Sequence, residues 1–127
     1  MSRLLKSFYD GMKTVSSALS FLLCMHTNFI SAQALNPVYL RAEYKVNPVT
    51  DSPAPRLSWE LTSSKNNQIQ SAYQILVASS EEKLSEKSAD LWNSEKVPGR
   101  ATAHIEYVGR PLTPRQICYW KVRSWDK

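Results

Sequence analysis

Apolar and polar positions alternate most clearly near the C-terminal end. Cys118, Trp120, Val122 and Ser124 fall on one face of a strand and Tyr119, Lys121, Arg123 and Trp125 on the other. Pro111-Leu112-Thr113-Pro114 predicts a turn before it. Arg56 to Thr62 alternates as cleanly, with Leu57, Trp59 and Leu61 on the apolar side and Ser58, Glu60 and Thr62 on the wet side. Ala72 to Ser79 predicts a third strand, with Tyr73, Ile75 and Val77 toward a core. Leu76 falls on its other face, exposed or set against a missing neighbour. Val38 to Tyr44 predicts a first strand, with Leu40, Ala42 and Tyr44 on one face, and Asp90–Ser94 and Ala101–Val108 two more. The prolines of Asn47–Pro55 predict a loop, Ser63–Asn67 and Lys96–Arg100 turns, and Ser80–Leu84 one helical turn begun by its glutamates. About six short strands separated by turns predict an all-β fold, an antiparallel sandwich. The last strand needs a neighbour on each edge, yet only Lys127 follows Asp126. The pattern therefore predicts a sandwich incomplete at its C-terminus, with an open edge that makes it marginal and self-associating.

Residues 1–34 read differently. Arg3, Lys6 and Lys13 give a positive start, Val15 to Met25 is apolar but for small serines, and Ala32-Gln33-Ala34 is a small-x-small site. These features predict a signal-peptide helix, cleavage after Ala34, and a secreted or periplasmic domain over residues 35–127. The apolar run is too short for the ~20 residues of a membrane span. Lipid anchoring through Cys24 is the lesser alternative, because Leu23 is larger than the residue that normally precedes a lipidated cysteine.

Composition narrows the function. Of 127 residues, 43% are hydrophobic and 21% charged, a globular balance. Three glycines exclude glycine-rich phosphate loops. The net charge of +5 comes from sixteen basic and eleven acidic residues. Setting aside Arg3, Lys6, Lys13 and Asp10 leaves thirteen and ten, scattered along the chain. That scatter argues for a mixed, solvated surface and against nucleic acid. With Cys24 in the leader, Cys118 is the one thiol of the mature domain, so its core must hold it.

The candidate chemistry is sparse. Glu81, Glu82 and Glu86 lie together in a polar loop, where nothing apolar would raise a carboxyl pKa. His104 lacks the companions a zinc site needs and reads as a strand surface residue. Cys118 faces inward and reads as structural. No catalytic residue, metal or cofactor is expected. The outward aromatics Tyr119 and Trp125, with Trp92, form a candidate surface for carbohydrate or for a neighbouring domain.

The order of motifs resembles a fibronectin type III-like sandwich: Trp59 on the second strand, Tyr73 on the third, Leu112-Thr113-Pro114, then a long strand. More closely, Leu40–Tyr44 with Asn47-Pro48, Pro55–Trp59, Ala72–Ser79, Asp90–Ser94 and Tyr119–Asp126 resemble, in that order, the N-terminal module of bacterial α-L-rhamnosidases. The resemblance spans nearly all of residues 36–126. It implies a non-catalytic module truncated before its last strand. The implied parent is a secreted glycoside hydrolase that removes terminal α-L-rhamnose with inversion, using acids on a helical barrel farther along. The implied partners are the parent's downstream domains and rhamnose-containing carbohydrate. The alternative is a stand-alone secreted carbohydrate-binding or spacer module. Two residues depart from the pattern. Cys118 stands where such modules commonly carry a corner tyrosine, which predicts a looser corner. Ser124 stands where an apolar β-branched residue is usual, which predicts a thinner core there.

Overall fold

The computed structural model describes residues 2–6 and 35–127. The described residues form two facing sheets. The elements are β1 (Ser2–Lys6), β2 (Asn36–Ala42), β3 (Val49–Thr50), β4 (Arg56–Thr62), β5 (Gln70–Ala78), a 3-10 turn at Glu81–Lys83, β6 (Trp92–Asn93), β7 (Val97–Pro98), β8 (Ile105–Glu106) and β9 (Ile117–Asp126). One sheet runs β3-β1-β9-β5-β6, with β7 also on β5, and the other runs β2-β4-β8.

The alternation in β4 and β9 becomes burial. Leu57, Trp59, Cys118, Trp120 and Ser124 are buried, and Val122 packs half-buried against the core. Tyr73, Ile75 and Val77 of β5 complete the interior, where the Trp59 and Tyr73 rings meet at 5.3 Å and 60°. Such tilted aromatic pairs add ~0.5–1.5 kcal/mol beyond the area they bury. β5 and β9 pair antiparallel from Gln70↔Asp126 to Ala78↔Tyr119, the longest ladder among the described residues.

Several elements depart from the sequence reading. Leu76 is buried on the outer face of β5 in a second small cluster with Ala78 and Leu84, flanked by Ala89 and Tyr119. The segment after β5 folds back through Glu81–Lys83 and supplies that cover, so Leu76 is neither exposed nor waiting for an absent neighbour. In β2 a bulge between Val38 and Arg41, with Tyr39 at φ 50°, shifts the register. The strand ends at Ala42, and Tyr44 turns outward at φ 63° instead of following Leu40 and Ala42 inward. Of Ala101–Val108 only Ile105–Glu106 joins a ladder, because His104 adopts φ 58° and breaks the extended run. Val97–Pro98, expected as a turn, pairs with β5 at Tyr73 and Ala72.

The largest departure concerns the edge of β9. Ser2–Lys6, the start of the expected leader, is a strand, pairing parallel with β9 from Arg3↔Ile117 to Lys6↔Trp120. Leu4 is fully buried in the main core. The first half of β9 is therefore paired on both edges, whereas Lys121–Asp126 has only β5 beside it among the described strands. The remainder of the expected leader, including Val15–Met25, Cys24 and the site after Ala34, lies outside the described residues. Among the described residues no helix is long and apolar enough to cross a membrane.

Candidate functional site

The three aromatics chosen from sequence do not share a surface. Trp92 is the register partner of Val77, whose side chain is in the core. It packs against that core, edge-on to Tyr107 at 5.4 Å and 82°. Tyr119 is the partner of Ala78 and lies on the outer cluster with Leu76 and Leu84. Trp125, opposite Ala72, shares that outer face by strand alternation. Six residues separate Tyr119 from Trp125, or roughly 20 Å along a strand. Lys96 Nζ stands 4.8 Å and the Arg123 guanidinium 4.7 Å from the centre of the Trp125 ring. Two cations thus occupy the ring that a sugar would need, each held by ~0.5–1 kcal/mol in such exposed settings.

The groups considered for chemistry are dispersed. Glu81, Glu82 and Glu86 are exposed, and Glu86 lies 3.8 Å from Arg123 across the outer face. His104 is exposed and shares a 2.9 Å hydrogen bond through Nδ1 with the Tyr44 hydroxyl. Arg56 stands over the Tyr44 ring at 5.1 Å and pairs with Glu43 at 3.1 Å. Hydrogen bonds from the Arg56 side chain and backbone lower the Glu43 pKa, and the same pair raises that of Arg56. Cys118 is fully buried, and burial, aided by the Asp90 charge, pushes its thiol up to about 11. A thiol held protonated in this way is a packing group, not a nucleophile.

Two polar devices escaped the sequence reading. The first is the corner at Tyr107. Its buried hydroxyl donates to the carbonyl of Arg110 at 2.6 Å and reaches that of Leu91 at 3.3 Å. Arg110 N–H donates to the same Leu91 carbonyl at 2.9 Å. The looser corner expected from Cys118 is therefore not what forms, because a tyrosine from the preceding segment ties the turn. Burial, with the nearby Cys118 and Asp90, pushes its phenol up to about 12. Gly109 makes the contact: a Cβ there would lie 2.5 Å from the Leu91 carbonyl oxygen and 2.6 Å from the Tyr107 hydroxyl. The Tyr107-x-Gly109 spacing was the available signal.

The second device is Gln70, buried between the sheets. Its Oε1 accepts from Trp59 Nε1 at 3.3 Å and from Ser124 Oγ at 2.8 Å. Its Nε2 donates to the carbonyls of Gly99 at 3.3 Å and Ala101 at 2.9 Å. Ser124 thus supplies a polar partner where a thinner apolar core was expected.

A three-stranded sheet facing a larger one, with a core tryptophan and a tyrosine-tied corner, defines an immunoglobulin-like β-sandwich module. The model of the Rha78A-like, N-terminal immunoglobulin domain matches residues 37–127, and the chain belongs to that family. It is 44% identical over 84 residues to an α-L-rhamnosidase of Formosa agariphila, covering 65% of this chain and 9% of that protein. Over 85 residues it is 44% identical to one of Streptomyces avermitilis, covering 66% and 8%. The solved Streptomyces avermitilis α-L-rhamnosidase complexed with L-rhamnose superposes with a TM-score of 0.69 at 40% identity, over 73% of this chain and 9% of that one. That of Dictyoglumus thermophilum gives 0.68 at 37%, over 72% and 10%. The chain thus spans less than a tenth of the curated relatives, and corresponds to their N-terminal immunoglobulin-like portion.

Proposed function

We propose that this chain is the non-catalytic N-terminal module of an exported α-L-rhamnosidase-type glycoside hydrolase, whose whole form removes terminal α-L-rhamnose from glycosides. The observation that carries the reading is the match across residues 37–127 to a domain that makes up so small a share of each related enzyme. Inverting hydrolysis needs an acid and a base ~6.5–9.5 Å apart around the sugar. The carboxylates Glu81, Glu82 and Glu86 sit instead on an open surface. Incubating the purified chain with an aryl α-L-rhamnoside tests the module: no release above buffer is expected, and release overturns the reading. The coding region beyond codon 127 tests the parent. A helical-barrel continuation supports it, and an unrelated continuation favours a spacer role.

Within that role, Tyr119 and Trp125 are contacts for other domains of the parent. Tyr119 already rests on an apolar cluster and the Trp125 ring is occupied by Lys96 and Arg123, so the outer face favours protein contact over sugar stacking. Export through residues 1–34 completes the proposal, supported by Arg3, Lys6, Lys13, the apolar run and Ala32-Gln33-Ala34. N-terminal sequencing of secreted product beginning at Leu35 supports it, and product retaining Met1 overturns it.

A further inference from the structure

We propose that Lys96, Arg123 and Trp125, on the outer face of the β5–β9 ladder, form a docking site for an acidic polypeptide segment in another domain of the parent, whose carboxylates pair with the two cations. This rests on the reading of the outer face as a contact for other domains, and names the chemistry of the partner.

The backbone places the site. Buried Ala72 of β5 lies between Trp125 of β9 on one side and Pro98 of β7 on the other. β6 and β7 run along the same edge of β5 with an extra residue between them. Asn93 lies opposite Leu76 and Val97 opposite Tyr73, so four steps on this edge match three on β5. The bulge falls at Glu95, which adopts φ 55°. Regular alternation from Asn93, opposite the outward Leu76, would carry Lys96 inward. The bulge instead sends Val97 to the core and Lys96 out to the Trp125 ring. Left-handed backbone is unfavourable for a glutamate, and here it is tied down. Glu95 N–H donates to Asn93 Oδ1 at 2.9 Å, and Ser94 Oγ donates to the Glu95 carbonyl at 2.9 Å. Asn93 Oδ1 also accepts from Nε2 of buried Gln74 at 3.0 Å, and Gln74 is the register partner of Arg123. Lys96 and Arg123 thus reach one ring from a shared, hydrogen-bonded base.

Positive charge here exceeds its local partners. Half-buried Lys121 adds a third cation on the same face of β9. Glu86, 3.8 Å from Arg123, is the one carboxylate paired with the group among the described residues, and both side chains are more than half exposed, so solvent weakens the pair. Lys96 has no ion pair among the described residues. Two cations drawn to one ring repel each other, and carboxylates that meet both relieve that repulsion. A half-buried tryptophan beside an arginine is the composition of an interface anchor, and complementary charge fixes which partner it takes. A polypeptide is favoured over an acidic sugar, because the cations already cover the ring on which a sugar would stack.

Fluorescence anisotropy with the full chain tests the proposal. The probe is a labelled oligoglutamate peptide of about ten residues, long enough to span Tyr119 to Trp125. Saturable binding is expected, weakening at least about tenfold between about 0.01 M and about 0.5 M salt as exposed charges are screened. Lys96→Gln with Arg123→Gln keeps much of each stem but removes both charges, and should weaken binding at least about tenfold. Arg41→Gln with Lys45→Gln removes the same charge from exposed positions at β2 of the smaller sheet, and should change binding less than about twofold. No binding of the peptide or of an oligogalacturonate, or equal loss in the two double variants, overturns the site and leaves the domain-contact reading standing. Binding of the oligogalacturonate that oligoglutamate cannot displace overturns both. Neither result bears on the rhamnosidase reading, which hydrolysis and the downstream codons decide.

Discussion

The Ser124 hydroxyl on β9 donates to Oε1 of Gln70 on β5 at 2.8 Å, and the same oxygen takes the indole N–H of Trp59 from the opposing sheet. One amide thus joins both sheets and, through its Nε2, the Gly99–Ala101 loop. Replacing it strands several buried groups at once, and each unsatisfied group costs ~1–3 kcal/mol. Gln70→Leu should destabilise by about 2–3 kcal/mol and Ser124→Ala by about 1 kcal/mol. Urea midpoints at constant m-value measure both.

The corner gives a sharper test. Gly109→Ala places a methyl group against the Leu91 backbone and the Tyr107 hydroxyl, neither of which can move without breaking the corner bonds. A loss of about 2–3 kcal/mol is expected, the upper range for overpacking. Tyr107→Phe keeps the packing but removes the donor to Arg110 and Leu91, for about 1–2 kcal/mol. Thermal melts of the two variants should rank in that order.

Asp90 sets the acid limit. Partial burial opposes its charge, but the hydroxyl and N–H of Ser79, its own N–H and the nearby Lys83 outweigh that and lower its pKa to about 2. An unfolded aspartate titrates near 3.9, about two units higher. The folded form therefore gains stability that is complete above the unfolded pKa and is lost as pH falls through about 2. The side chain keeps 30% exposure, so solvent trims the gain to about 1 kcal/mol. Asp90→Asn should flatten the stability profile between pH 4 and 2, measured by chemical denaturation across that window.

Cys118 should resist thiol reagents. In a Cys24→Ser chain at pH 8, its buried thiol, pushed up to about 11, should label only as fast as the protein unfolds. Labelling that follows the denaturant dependence of unfolding supports this, and immediate labelling without denaturant contradicts it.

The occupied ring of Trp125 predicts a quiet response to sugar. Tryptophan emission should not shift with millimolar L-rhamnose, whereas Lys96→Ala should alter it by uncovering the ring. A saturable rhamnose-dependent shift would reassign this surface.

Elements whose side chains alternate against one core were legible from the sequence: β4, β5 and β9 appear where their period-two pattern puts them. What was not legible depended on chain returning from a distance. Leu76 reads as exposed or set against a missing neighbour until Leu84 folds over it, and Ser124 reads as thinning the core until Gln70 is placed beside it. The breaks at Tyr39 and His104 need backbone in the left-handed region, which a tyrosine does not announce and a histidine signals only weakly. Ser2–Lys6 carries the charges of a leader, and its Ser-Arg-Leu-Leu-Lys sequence has no period-two pattern to signal a partner more than a hundred residues away. Among the candidate aromatics, alternation placed Tyr119 and Trp125 together on the outer face, but could not tell that Trp92 belongs with Tyr107.

β5 is buried on both of its faces, contributing Tyr73, Ile75 and Val77 to one cluster and Leu76 and Ala78 to the other. It also pairs with three strands, β6, β7 and β9. Departure of this strand would open both clusters at once. The amides of Ile75 to Val77 should therefore be the last to open.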